Sequence, residues 1–164
     1  MRTLHIRDAN FNELVESLDQ LKHLRYLSIM LTNTSKLPEN IANMKFLQCV
    51  NLTGCKNLMK LPSGIVKLQH LRSLCLLGTS INDIPRGFSS LSNLRTIYGF
   101  RAHMDDDWCS LQELGPLPHL SVLNIIDIKN VSSPSYATQA RLAEKNGLTY
   151  LGLNCTSKLG YAGS

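Results

Sequence analysis

The chain has 164 residues, 43% hydrophobic and 18% charged, with a net charge of +5 and a pI near 9.0. That length holds one sizeable core, and that composition excludes a disordered chain. No apolar run approaches the roughly 18 residues of a membrane span, and the opening MRTLHIRDANFNEL lacks the charged-then-apolar order of a signal peptide. The cysteines at 49, 55, 75, 109 and 155 are odd in number and form no CxxC, so neither a disulfide framework nor a zinc site is indicated. A reducing, cytoplasmic compartment is expected. Glycosylation triplets at Asn33, Asn51, Asn130 and Asn154 point the other way, but such triplets arise by chance and two fall on expected strands. The basic balance permits an acidic partner, and no dense Lys/Arg block points to nucleic acid.

In chain order, one apolar spacing recurs: Met1/Leu4/Ile6, Leu24/Leu27/Ile29, Leu47/Val50/Leu52, Leu71/Leu74/Leu76, Leu94/Ile97/Gly99, Leu120/Leu123/Ile125 and Leu148/Leu151/Leu153. Successive first members are 23, 23, 24, 23, 26 and 28 residues apart. The last two residues of each triplet share one face of a short strand. A second signature follows it: Leu37-Pro38-x-x-Ile41, Leu61-Pro62-x-x-Ile65 and Ile84-Pro85-x-x-Phe88, with a relaxed copy at Leu14-Val15-x-x-Leu18. Proline cannot donate to a sheet ladder, so these segments turn away from the strand. The period predicts an α/β solenoid, in which a curved parallel sheet lines the concave face and turns and short helices line the convex one. A lone unit has no partner for its apolar edge; stacked units bury it, at roughly 1.5–3 kcal/mol for each Leu or Ile.

Residues 1–164 are expected to form one domain of this kind, with two departures. In the insert 101–116 the Leu-Pro signature is missing, and Gly99 takes an inward aliphatic place, so this fifth coil is expected to loosen and loop outward. Ser133-Pro134 opens a convex helix expected over residues 134–146, closing at Gly147. Both ends look like partial repeats without polar caps, the expectation being a fragment of a longer protein or of a gene that has lost its front.

Leu-x-x-Leu-x-Leu followed by Leu-Pro-x-x-Ile resembles the intracellular class of leucine-rich repeat. The stretch Leu111–Ser157 is more particular. Leu111-Gln-Glu-Leu114, Leu123-Asn-Ile125 running into Lys129-Asn130-Val131, Ala137-x-x-Ala140-x-Leu142 and Lys145-x-x-Leu148 look like the repeat domain of plant coiled-coil nucleotide-binding (NB-ARC) disease resistance receptors. The resemblance implies a sensor and regulator of innate immunity, binding a pathogen effector or a guarded host protein and holding a nucleotide-binding domain inactive. No GxxxxGK[ST] occurs in these residues, so nucleotide binding is not carried over.

On each strand, residues between the inward aliphatics face outward on the concave side. Alternation places Tyr26, Met30, Leu77, Tyr98, Phe100, Ile126 and Tyr150 there as a partner-binding strip, since exposed aromatic patches mark protein contacts. Arg2, Arg25, Arg72 and Arg95 share one repeat position and form a possible docking edge for an acidic surface, such as a nucleotide-binding domain. Asp105-Asp106-Asp107 reads as a solvated acidic loop, because a run of carboxylates does not supply converging ligands, and Trp108 is expected to fold back onto the convex core. Thr32, Cys55 and Thr79 occupy a position where a small polar group bonds to backbone. The histidines are scattered, and no Ser-His-Asp or Cys-His arrangement emerges. The expectation is a non-enzymatic module without metal or cofactor; a stand-alone scaffold of the Ras-group repeat type is the alternative, and a ubiquitin-ligase adaptor would need a helical box that is absent here.

Overall fold

The computed structural model describes residues 2–9, 15–106 and 108–155. Met1 of the first triplet, Leu14 of the relaxed signature, Asp107 of the acidic run and the tail from Thr156 lie outside the described residues. The strands are β1 Thr3–Arg7, β2 Tyr26–Met30, β3 Cys49–Asn51, β4 Ser73–Cys75, β5 Thr96–Arg101, β6 Met104–Asp105, β7 Trp108–Cys109, β8 Val122–Ile126 and β9 Tyr150–Leu153. Seven of them form one sheet in the order β1-β2-β3-β4-β5-β8-β9, each parallel to its neighbours. β6 and β7 pair apart from this sheet, as a small antiparallel hairpin.

The register carries the core. Leu27, Val50, Leu74, Ile97 and Leu123 stand opposite one another and are fully buried. Leu24, Leu47, Leu71, Leu94 and Leu120 fill the corner before each strand, also buried. On the convex side the Leu-Pro signature starts 3-10 turns at Glu39–Asn43 and Ser63–Lys67. Pro38 and Pro62 sit extended at φ −62° and −64°, where their fixed ring angle costs nothing and no N–H is left without a partner. Their carbonyls accept from Ile41 N (3.1 Å) and Ile65 N (3.0 Å), turning both isoleucines into the core.

Five of the seven sheet strands, β1 to β4 and β8, leave the sheet through a left-handed residue. Asp8, Leu31, Gly54, Gly78 and Asp127 have φ of 51°, 53°, 77°, 69° and 55°. A Cβ on Gly54 would lie 2.4 Å from Leu31 Cδ2, so the leucine side chain of one coil rests on the glycine of the next.

Three expectations are corrected. Gly99 does not occupy the inward place of its triplet. The β5–β8 register shifts by one residue between Ile97 and Phe100, so Phe100, not Gly99, stands opposite Ile125. This is a β-bulge: Gly99 takes φ +77°, and Phe100 turns inward, fully buried, edge-on to Phe88 at 5.6 Å between ring centroids. Second, the fifth coil is not loosened. The β6–β7 hairpin protrudes, but Ala102, Cys109, Leu111 and Leu114 are buried, and Ser110 ties the coil shut, its hydroxyl accepting from His103 N (3.0 Å) and donating to Arg101 O (2.9 Å). A 3-10 turn at Ser110–Leu114 replaces the missing Leu-Pro start. Third, the convex helix α1 covers only Pro134–Gln139, capped by Ser133 Oγ accepting from Ser135 N (3.3 Å). It stops because its end is pressed against Gly115, where a Cβ would meet Gln139 O at 2.4 Å; Arg141 then reverses to φ 49° and a separate 3-10 turn spans Leu142–Glu144.

Candidate functional site

Two surfaces emerge from this scaffold. The first is the concave face. Tyr26, Met30, Leu77 and Tyr98 are half-buried there and Tyr150 is 50% exposed, so the outer parts of these side chains face solvent on one sheet. His5 packs on Tyr26 at 4.8 Å between ring centroids. Tyr98 and Tyr150 reach toward each other across β8, 6.4 Å apart. Between their strands, Asn124 is buried and its Oδ1 accepts from Gly99 N (3.2 Å), satisfying an amide of the bulge.

Two members of the sequence-derived strip do not belong to it. Phe100 is in the core, displaced by the bulge. Ile126 keeps its outward register but is only 8% exposed, and the shifted strand now sets Arg101 opposite it. Arg101 therefore takes the outward place assigned to Phe100, replacing an aromatic ring with a cation. It pairs with the buried carboxylate of Asp127 and donates from Nε to Ile81 O. Burial lowers the Arg101 pKa without threatening its charge. The only sequence signal for this exchange was a glycine within a strand in a repeat that ran long.

The second surface is the edge where the chain enters each strand. Its geometry comes from the backbone: the carbonyl of Arg2 accepts from Arg25 N (2.8 Å) and Tyr26 N (3.1 Å), and those of Arg25, Gln48, Arg72 and Arg95 accept the next pairs in the same way. The fork stacks these residues directly above one another and leaves Arg2, Arg25, Arg72 and Arg95 exposed. Beside them lies a ladder that alternation does not reveal. His23 stacks on Phe46 at 5.9 Å, and Phe46 on His70 at 6.1 Å. Arg2, His23, Arg25 and Phe46 line an open hollow of about 290 Å³.

Other candidates serve the scaffold. Asp105 pairs with Arg86 (3.2 Å), whose guanidinium lies over Trp108 at 5.1 Å; Trp108 thus stays half-exposed on the flank, edge-on to His103, instead of entering the core. No group of three His, Cys, Asp or Glu side chains that could hold a metal converges among the described residues. Cys55 Sγ donates to Ile29 O of the preceding coil (3.2 Å), and Thr79 Oγ1 donates to Leu76 O (2.8 Å). Burial pushes the Cys49 and Cys109 thiols up, away from the reactive thiolate. No helix among the described residues is long and apolar enough to cross a membrane.

Residues 1–157 match the family model described as a leucine-rich repeat region. The chain belongs to the leucine-rich repeat family. Its curated relatives include the Arabidopsis thaliana disease resistance RPP13-like protein 4, 31% identical over 124 residues, which is 73% of this chain and 14% of that protein. "Probable disease resistance protein RF45" from the same plant is 30% identical over 139 residues, 85% of this chain and 13% of that one. The leucine-rich repeat chain thus spans about a seventh of the length of these relatives. Among solved structures, the leucine-rich repeat domain of the type III effector XopL superposes with a TM-score of 0.62 at 23% identity, covering 76% of this chain and 44% of that one; at that identity the likeness concerns the fold. Repeat solenoids of this family are protein-interaction scaffolds, with an extended concave surface for a partner.

Proposed function

We propose that this chain is the protein-binding and regulatory repeat module of an intracellular plant immune receptor, recognising a pathogen effector or a guarded host protein and restraining a nucleotide-binding domain encoded elsewhere in the receptor. One observation carries the reading: a chain related to disease resistance proteins presents Tyr26, Met30, Leu77, Tyr98 and Tyr150 to solvent on one concave sheet. Tyrosine supplies large contact area with few torsions to immobilise, and its hydroxyl satisfies polar partners. The five free cysteines accord with a reducing compartment. The function read here is binding, the role for which repeat solenoids build an extended concave surface.

The test is a two-hybrid screen of plant-pathogen effectors and host immune regulators, followed by purified binding. A partner found this way should lose at least tenfold in affinity to the variant Tyr98→Ala/Tyr150→Ala, whose circular dichroism stays that of the parent. Partners that bind this variant as well as the parent would remove the concave face from the reading.

A further inference from the structure

We infer that the edge where the chain enters the sheet is a second binding surface, for an acidic protein segment that carries an apolar residue at its centre. Arg2 and Arg25 stand one rung apart, as do Arg72 and Arg95, and Gln48 holds the rung between the pairs. At about 4.8 Å per rung the five positions run about 19 Å. Phe46, 45% exposed, projects at the middle rung, stacked between His23 and His70. The order along the edge is therefore cation pair, ring, cation pair.

Charge complementarity names the occupant. None of the four arginines has a carboxylate partner among the described residues, unlike Arg7, Arg86 and Arg101, which are paired. The segments that make this edge, residues 22–25, 45–48, 69–72, 92–95 and 118–121, contain no Asp or Glu and add Lys22 and Lys45. Four aligned guanidiniums left in solvent repel one another, and carboxylates set between them remove that repulsion while accepting forked hydrogen bonds. Nucleic acid is the poorer match. Base stacking needs an open aromatic face, and both faces of Phe46 are occupied by imidazoles. What the ring offers is its rim, which suits an aliphatic or aromatic side chain lying between two acidic groups.

The test uses the full chain and fluorescein-labelled synthetic peptides in which two glutamate pairs flank a central phenylalanine. The proposal expects binding that weakens as salt rises. Exposed pairs of this kind contribute up to about fivefold each, so Arg25→Glu/Arg72→Glu, which removes two of them, should lose roughly tenfold. Phe46→Ala should weaken the peptide with central phenylalanine and leave a central-glycine peptide where it was. Tyr98→Ala/Tyr150→Ala should bind the peptide like the parent, which separates this surface from the concave face. The inference is overturned if the peptide does not bind, if its glutamine version binds equally, if Arg25→Glu/Arg72→Glu has no effect, or if a short oligothymidine binds as tightly as the peptide.

Discussion

Gly99 tests the bulge. An alanine there meets two separate costs. The φ of +77° is left-handed, which costs an L-residue about 1–2 kcal/mol. The new Cβ would also lie 3.0 Å from Leu76 C and Leu77 N and 3.2 Å from Leu76 O, all backbone atoms of the preceding coil that cannot swing aside. Displacing one coil from the next adds about 1–3 kcal/mol, comparable to overpacking a core. Gly87 supplies the control: its φ is +84°, but a Cβ there meets nothing within 4 Å. Gly87→Ala should therefore cost only the torsional part, about 1–2 kcal/mol, and Gly99→Ala about 2–5 kcal/mol. The assay is equilibrium urea unfolding of both variants, followed by tryptophan fluorescence and circular dichroism. With a slope of about 2 kcal/mol per molar urea, Gly99→Ala should lower the midpoint by about 1–2.5 M and Gly87→Ala by about half that or less. Equal midpoints for the two variants would refute the close approach of β5 to the preceding coil.

Phe100→Ala should cost about 3–5 kcal/mol, the loss expected of a buried ring, whereas a surface position would lose little; the same unfolding assay decides. Leu31→Asn should gain about 0.5–1 kcal/mol by relieving a left-handed leucine that is 45% exposed, read as a rise in melting temperature. Glu113→Ala should cost about 1–3 kcal/mol, because its carboxylate accepts from Gly87 N (3.1 Å) and Ser89 N (2.8 Å) and both amides would lose their partner. Lys145 Nζ donates to Gly115 O (3.1 Å) and Leu117 O (2.8 Å), and burial first, then Arg141, lowers its pKa below the ordinary value near 10.5. Between the lowered folded value and 10.5 the unfolded chain binds more proton, so stability on this group's account rises with pH across that window. Lys145→Met should flatten that rise in the difference between the two stability–pH curves.

The repeat and its parallel sheet were legible because burial in a solenoid imposes a strict inward pattern, and Leu27, Val50 and Leu74 obey it without exception. The outward columns follow from the same alternation, but Ser28, placed outward by it, is only 1% exposed. Alternation failed at β5 because one extra residue inverts every side chain after it. Nothing local distinguishes a glycine that weakens a strand from one that makes a bulge; the difference is the close approach of Leu76, which lies a coil away in sequence. The stacked edge of His23, Phe46 and His70 escaped for another reason. These residues precede the strands, where neither a period of 2 nor a helical period applies, and only superposition of the coils brings their rings together. The convex helix was overextended because its stop is a contact with Gly115, not a local signal.

The coils stack in parallel register, with one inserted residue in the fifth. Nuclear Overhauser contacts across the sheet test this stacking most directly. Leu74 should show short amide-to-alpha contacts to both its β3 and β5 neighbours, around Val50 and Ile97, and Phe100, not Gly99, should meet Ile125. Antiparallel alpha–alpha contacts between those strands, or Gly99 standing opposite Ile125, would contradict it.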